Sequence, residues 1–230
     1  MRKIYLHIGS HKTGTTSIQS FMFHNKGLLK QRGKSFYSGS IIESNHVELH
    51  VASMRPDRYS PIKINKQLFP TSGFIEEAKR KILSFSQSED ECDLVFSAEG
   101  LFYLRYPDEL KRLRNILPSG EVEVVVYLRE KYSFLESYRR QLTKMGISLS
   151  RDKKSFSYVE EDSWLVDYDD LLFAYRGEFG ENCVKVFDYE SVMHLEKTVL
   201  FSFVRCLGLN ESLLGVDLLD DKYWLNRSGK

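Results

Sequence analysis

The chain has 230 residues, room for one domain with a substantial core. Its 33 basic and 32 acidic side chains leave a net charge of +1, so no global basic field points to nucleic acid and any anion site must be local. Hydrophobic residues make up 42% and charged residues 28%; no apolar run approaches a membrane span and no secretory leader precedes the first one, which argues against membrane insertion and for a cytoplasmic protein.

Lys3 to Ile8 is an apolar run of strand length. Gly9 to Gly14 is a loop with a glycine at each end, and from Thr15 the apolar residues Ile18, Phe21 and Met22 recur at helical spacing. Strand, glycine-bounded loop and helix start form the layout of a phosphate cradle, with free amides and the positive end of the helix dipole facing the loop. Thr13, Thr15, Thr16 and Ser17 add hydroxyls and Lys12 adds a charge. Gly9 and Gly14 have Walker A spacing, yet Thr15 stands where the triphosphate-binding lysine belongs. The loop fits a charged 5′-group better than a triphosphate.

Gly27 to Gly33 is a polar stretch with a glycine stop, and Lys34 to Ser38 a short strand. Residues 40–70 read as an irregular insert broken by Pro56, Pro61 and Pro70, with a short helix starting at Asn45–His46. His46 and His50 share a helix face but lack a third ligand, so no metal is expected. Thr71–Ser72–Gly73 opens an amphipathic helix through Phe85. Asp93 to Ser97 is a buried strand ending in Ala98–Glu99–Gly100, which puts a carboxylate where open α/β sheets bind ligands.

Pro107 to Leu117 is a helix, and Glu121 to Leu128 is the strongest strand, apolar on consecutive positions as in a sheet covered on both faces. Arg129 ends that strand, and Ser137 follows eight residues later on the next helix. Residues 147–161 read as a mobile polar loop, Trp164 to Phe179 as one helix and Val184 to Phe187 as a strand followed by Asp188–Tyr189–Glu190. His194 to Leu207 reads as the last helix, capped by Gly208, with a tail over 210–230. Cys92, Cys183 and Cys206 are an odd number without a CxxC pair and read as reduced, buried thiols.

Lys12-Thr13-Gly14-Thr15-Thr16-Ser17 after a first strand resembles the 5′-phosphosulfate loop of the sulfotransferases that use 3′-phosphoadenosine 5′-phosphosulfate (PAPS). Arg129 with Ser137 resembles their 3′-phosphate motif, and Tyr189–Glu190 a third landmark near the adenine. The resemblance implies a single P-loop-like α/β domain over residues 1–230, with a mostly parallel sheet of four or five strands and helices on both faces. It implies a PAPS-dependent O-sulfotransferase with a small-molecule or glycan acceptor, most readily a carbohydrate in bacterial polysaccharide, glycolipid or oligosaccharide synthesis. Lys12 is then the charge-stabilising group, and Thr13 to Ser17, Arg129, Ser137 and Tyr189 bind PAPS. Glu99 is the first choice of general base and His46 the second. His11 shapes the loop or meets the acceptor, and His7 is a satisfied core residue. The insert and the 147–161 loop fall on the acceptor side, and Asn226 to Lys230 offer the only counterpart of the family's lid. A P-loop kinase, or a non-catalytic nucleotide- or glycan-binding protein on the same fold, remains the alternative.

Overall fold

In the computed structural model, residues 1–223 are described. The chain alternates strands and helices: β1 (Lys3–His7), α1 (Thr15–His24), α2 (Lys26–Gln31), β2 (Lys34–Phe36), α3 (Val47–Ser53), α4 (Pro61–Asn65), α5 (Ser72–Ser88), β3 (Asp93–Ser97), α6 (Pro107–Ile116), β4 (Glu121–Leu128), α7 (Lys131–Lys144), α8 (Tyr168–Phe179), β5 (Val184–Asp188), α9 (Tyr189–Glu196) and α10 (Leu200–Cys206). The strands form one five-stranded sheet in the order β2-β3-β1-β4-β5, parallel throughout.

Strand alternation divides the core in two. Ile4, Leu6, Leu94, Phe96, Val122, Val124 and Val126 face the layer containing α3, α5, α6, α7 and α8. Tyr5, Val95, Val125 and Tyr127 face the layer containing α1 and α10. Consecutive valines in β4 therefore supply both cores, as a strand covered on two faces must. Since every strand runs the same way, the ends of β1, β3, β4 and β5 lie along one edge. From β1 the chain builds β2 and β3 on one side and then crosses to β4 and β5 on the other, so β1 sits where the strand order reverses.

Several boundaries differ from the sequence reading. Pro61 starts a helix instead of breaking one, because it occupies a first-turn position and Ser60 accepts the Lys63 amide. The polar stretch after Asn25 forms α2. The expected helix from Trp164 is a 3₁₀ turn, Trp164–Val166, and then α8, which starts where Asp167 accepts the Asp170 amide. The expected last helix is two: Lys197 ends α9 with φ of 64°, and the Thr198 hydroxyl accepts from the Leu200 amide at 3.3 Å. The 147–161 segment is irregular but anchored, with Phe156, Tyr158 and Val159 buried. All three cysteines are free, yet only Cys92 is buried. The lid residues Asn226 to Lys230 lie outside the described residues. Among the described residues no helix is long and apolar enough to cross a membrane, and no three His, Cys, Asp or Glu side chains cluster as a metal site.

His7, His46 and His50 are each at most 1% exposed, and burial pushes each down to about 3, helped at His50 by Lys63 and Arg58. The folded state holds them neutral, while the unfolded chain protonates them near the ordinary histidine value. Stability therefore falls as pH drops from about 6.5 toward 3, each group costing about 1.4 kcal/mol per pH unit. Urea midpoints measured between pH 7 and pH 5, above the carboxylate range, should decline steadily; a flat profile overturns the assignment.

Candidate active site

The loop after β1 is braced from within. Ser10 Oγ donates to the Tyr127 carbonyl at 2.9 Å, and the Ser10 carbonyl accepts the hydroxyls of Thr13 and Thr15 at 2.8 and 3.2 Å. Thr13 and Thr15 are buried, so their hydroxyls hold the loop and do not face a ligand. The sequence reading takes Thr13 to Ser17 together as cofactor-binding, whereas the hydroxyls of Thr13 and Thr15 are engaged within the loop. Thr16 is exposed and Ser17 half-buried. Gly14 adopts φ of 77°, and a Cβ there would lie 2.7 Å from Val199 Cγ2, so only glycine lets α10 approach the start of α1. No side chain caps α1 and no acid stands in its first turn. The dipole of such a helix start favours an anion. Lys12 is exposed in the left-handed region, φ 63°, an uncommon conformation for a side-chain-bearing residue.

Beside this loop, at the end of β3, lies Glu99. Its Oε1 is 3.0 Å from His11 Nδ1; the Glu99 side chain is 28% exposed and that of His11 only 6%. Burial works to raise the Glu99 pKa, but the charge and hydrogen-bonding of His11, with Lys12 and His7 behind it, hold the carboxyl below its usual value. His11 Nε2 meets the Tyr103 hydroxyl, which lies 2.8 Å from the Tyr138 hydroxyl. Both tyrosines are buried, and burial keeps both phenols protonated far above neutrality. Either tyrosine hydroxyl can be the donor between Tyr103 and Tyr138; His11 Nδ1 lies against Glu99 Oε1, and the second carboxylate oxygen makes no ion pair among the described residues.

His46 does not join this group. Fully buried, its Nε2 donates to the Tyr37 carbonyl at 2.8 Å and its Nδ1 accepts the Ser97 amide at 2.9 Å. With both nitrogens committed it ties the end of β2 to β3 and has no lone pair to offer an acceptor hydroxyl, so it leaves the base candidates. His7 is buried as expected but only half satisfied: Nδ1 meets Ser97 Oγ at 2.9 Å, and Nε2 has no hydrogen-bond partner.

Arg129 ends β4. Its guanidinium lies 5.6 Å from the Tyr189 ring, and its Nε is 3.5 Å from Glu190 Oε1. Glu190 also accepts the Glu130 amide at 3.2 Å, and Tyr168 donates to the Arg129 carbonyl at 2.7 Å. The buried Nε makes no hydrogen bond and is within ion-pair distance of Glu190 alone among the described residues. Arg129 and Tyr189 therefore stand side by side at the ends of β4 and β5. Ser137 lies on the buried side of α7 and is 8% exposed. Sequence reasoning missed Glu190 as the orienting partner of Arg129, and Tyr103 and Tyr138 as partners of His11.

No family model and no curated protein sequence matches the chain. Solved structures do. A sulfotransferase from Alicyclobacillus acidocaldarius superposes with a TM-score of 0.58 at 17% identity, covering 96% of this chain and 88% of its own. The chain has the sulfotransferase fold. The sulfotransferase domain from the curacin biosynthetic pathway agrees, with a TM-score of 0.53 at 12% identity over 99% of this chain and 79% of its own. In this fold, Lys12, Glu99, Arg129 and Tyr189 all stand at the strand ends along one edge of the sheet.

Proposed function

We propose that this protein is a PAPS-dependent O-sulfotransferase whose acceptor is a carbohydrate hydroxyl. The observation that carries the reading is the open start of α1 with Lys12 at the end of β1, flanked by the His11–Glu99 pair at the end of β3. PAPS, when bound, supplies an activated sulfuryl group. The amides opening α1, with Thr16 and Ser17, hold its 5′-phosphate. Arg129 holds the 3′-phosphate, with Ser137 on the following helix, and Tyr189 lies against the base. The uncapped helix start and the Arg129 guanidinium, oriented by Glu190 beside Tyr189, both suit such a ligand.

Lys12 neutralises the charge that develops on the leaving oxygen as the donor S–O bond breaks. The acceptor oxygen bonds to sulfur, and its proton passes to the second oxygen of Glu99. A carboxylate held below its usual pKa is a weak base, so it takes the proton only as the new S–O bond forms. A glutamate at this position, in place of a histidine, favours a sugar acceptor and a place in bacterial polysaccharide or oligosaccharide synthesis. Residues 40–70 and 147–161 of this single domain form the acceptor side.

Calorimetric titration with adenosine 3′,5′-bisphosphate, ATP and AMP tests the donor assignment. The bisphosphate should bind best, and Arg129→Ala should weaken it by about 10- to 100-fold, the worth of a charge-assisted contact. Preference for ATP would instead indicate a phosphotransferase, and indifference to Arg129→Ala would remove it from the site.

A further inference from the structure

Behind Tyr103 the protein gathers five cations, two of which form no ion pair among the described residues. Arg55 and Arg112 share Asp108, at 2.6 and 2.9 Å, and Arg58 pairs with Glu109 at 2.6 Å. Two further cations have no carboxylate. Lys63 is 2% exposed, and its ammonium reaches only the carbonyls of Arg55 and Arg58. Arg105 is 8% exposed; its Nη1 donates to the carbonyls of Phe102 and Leu104, while Nε and Nη2 have no hydrogen-bond partner. Glu109 and Asp57 are felt by Lys63, and Asp167 and Asp170 by Arg105, but none forms an ion pair with either cation among the described residues.

A buried cation without a counter-ion is costly, and a second cation beside it adds to the cost. The surroundings are built to hold these charges in place. Arg105 stacks 5.0 Å from the Phe102 ring and 5.3 Å from Trp164, and Arg58 lies 5.1 Å from Trp164 on the same ring. Arg55 covers Tyr106 at 3.8 Å, with its side chain 37% exposed. Partly exposed Trp164 and Arg55 connect the cluster to solvent. On its inner side Trp164 meets the Tyr103 ring at 6.2 Å, and Tyr103 bonds to His11, the partner of Glu99. The cluster therefore reaches the candidate base through Tyr103 and His11.

We propose that this cluster receives an anionic group of the acceptor, a carboxylate or a sulfate ester, so that the substrate class is an acidic saccharide. The inference rests on the sulfuryl-transfer reading for the word acceptor, but the anion site stands on its own geometry. Arg58 and Arg105 determine the preference, and Trp164 holds both guanidiniums over its ring. The resulting field also draws an acidic chain toward Glu99 and is screened by salt.

The test is calorimetry on the full chain with three disaccharides of one linkage: a glucuronate-bearing one, an O-sulfated one and a neutral one, each with and without adenosine 3′,5′-bisphosphate. At about 50 mM salt at least one acidic sugar should bind about tenfold tighter than the neutral one, and the advantage should shrink near 500 mM. Arg105→Gln and Arg58→Gln should each abolish the advantage while leaving bisphosphate affinity unchanged. If Arg105→Gln fails to fold, Arg55→Gln at the exposed rim and the salt dependence of the wild type carry the test. Equal affinity for acidic and neutral sugars, no binding of any of them, or an acid preference intact in the glutamine variants overturns the proposal. Absence of bisphosphate binding would sink the sulfuryl-transfer reading alone, since the sugar titrations without nucleotide still report the anion site.

Discussion

Lys12→Ala is expected to lower the rate of sulfuryl transfer by roughly 10²–10³-fold, the usual effect of removing one preorganised charge from a transition state. On the proposed reading the ammonium acts chiefly on charge that appears as the donor bond breaks. The loss should therefore fall on kcat, with KM and bisphosphate affinity changing far less. The structure makes this substitution a clean one. Lys12 is exposed and makes no ion pair among the described residues, so no buried partner is stranded by its removal. Its backbone already holds φ of 63°, and alanine meets the same steric cost there as lysine, so the melting temperature should hardly move. Steady-state kinetics, bisphosphate calorimetry and a thermal melt on one preparation separate these effects. Normal turnover in Lys12→Ala would remove the loop from the chemistry; a lost nucleotide affinity with unchanged kcat would recast Lys12 as a binding residue.

What was legible in the sequence was local. The cradle from Lys3 to Met22, the buried β4 and the amphipathic α5 each announce themselves through periodicity within one element, and each appears in the structure with bounds shifted by no more than three residues. Glu99 and Arg129 were readable as strand-end residues because a parallel sheet brings all such ends to one edge. Contacts across the sheet were not readable in this way. His11 and Tyr103 are 92 positions apart and meet only because β1 lies directly beside β3. That adjacency, had it been inferred from the crossover pattern, would have placed the loop histidine against the segment following Glu99. His46 misled for the complementary reason. Its sequence position in an irregular insert suggested an accessible base, whereas the end of β3 takes it up as a cross-link between two backbones. The division of the last helix was hidden too, since nothing in its apolar pattern marks Lys197 as a left-handed stop.

Glu99→Gln is expected to lower kcat by roughly 10²–10⁴-fold, the range for loss of a positioned general base. The glutamine amide can still face His11 Nδ1, so the chain through Tyr103 and Tyr138 should survive and bisphosphate binding should be unchanged. His11→Gln makes a sharper distinction. His11 is buried against Tyr103 and paired with Glu99, so on the proposed reading it acts through Glu99. Burial raises the Glu99 pKa and His11 is the main influence lowering it. With His11 gone the carboxyl should titrate at higher pH. Glu99 is active as its anion, so activity is lost as pH falls through its pKa, and this acid limb of kcat/KM should move upward in His11→Gln. A variant that merely loosened the loop would lower the whole profile without moving that limb. An acid limb unmoved in His11→Gln, together with Glu99→Gln at near-normal rate, would show that the proton leaves by another route and that the pair at the end of β3 serves the architecture of the loop.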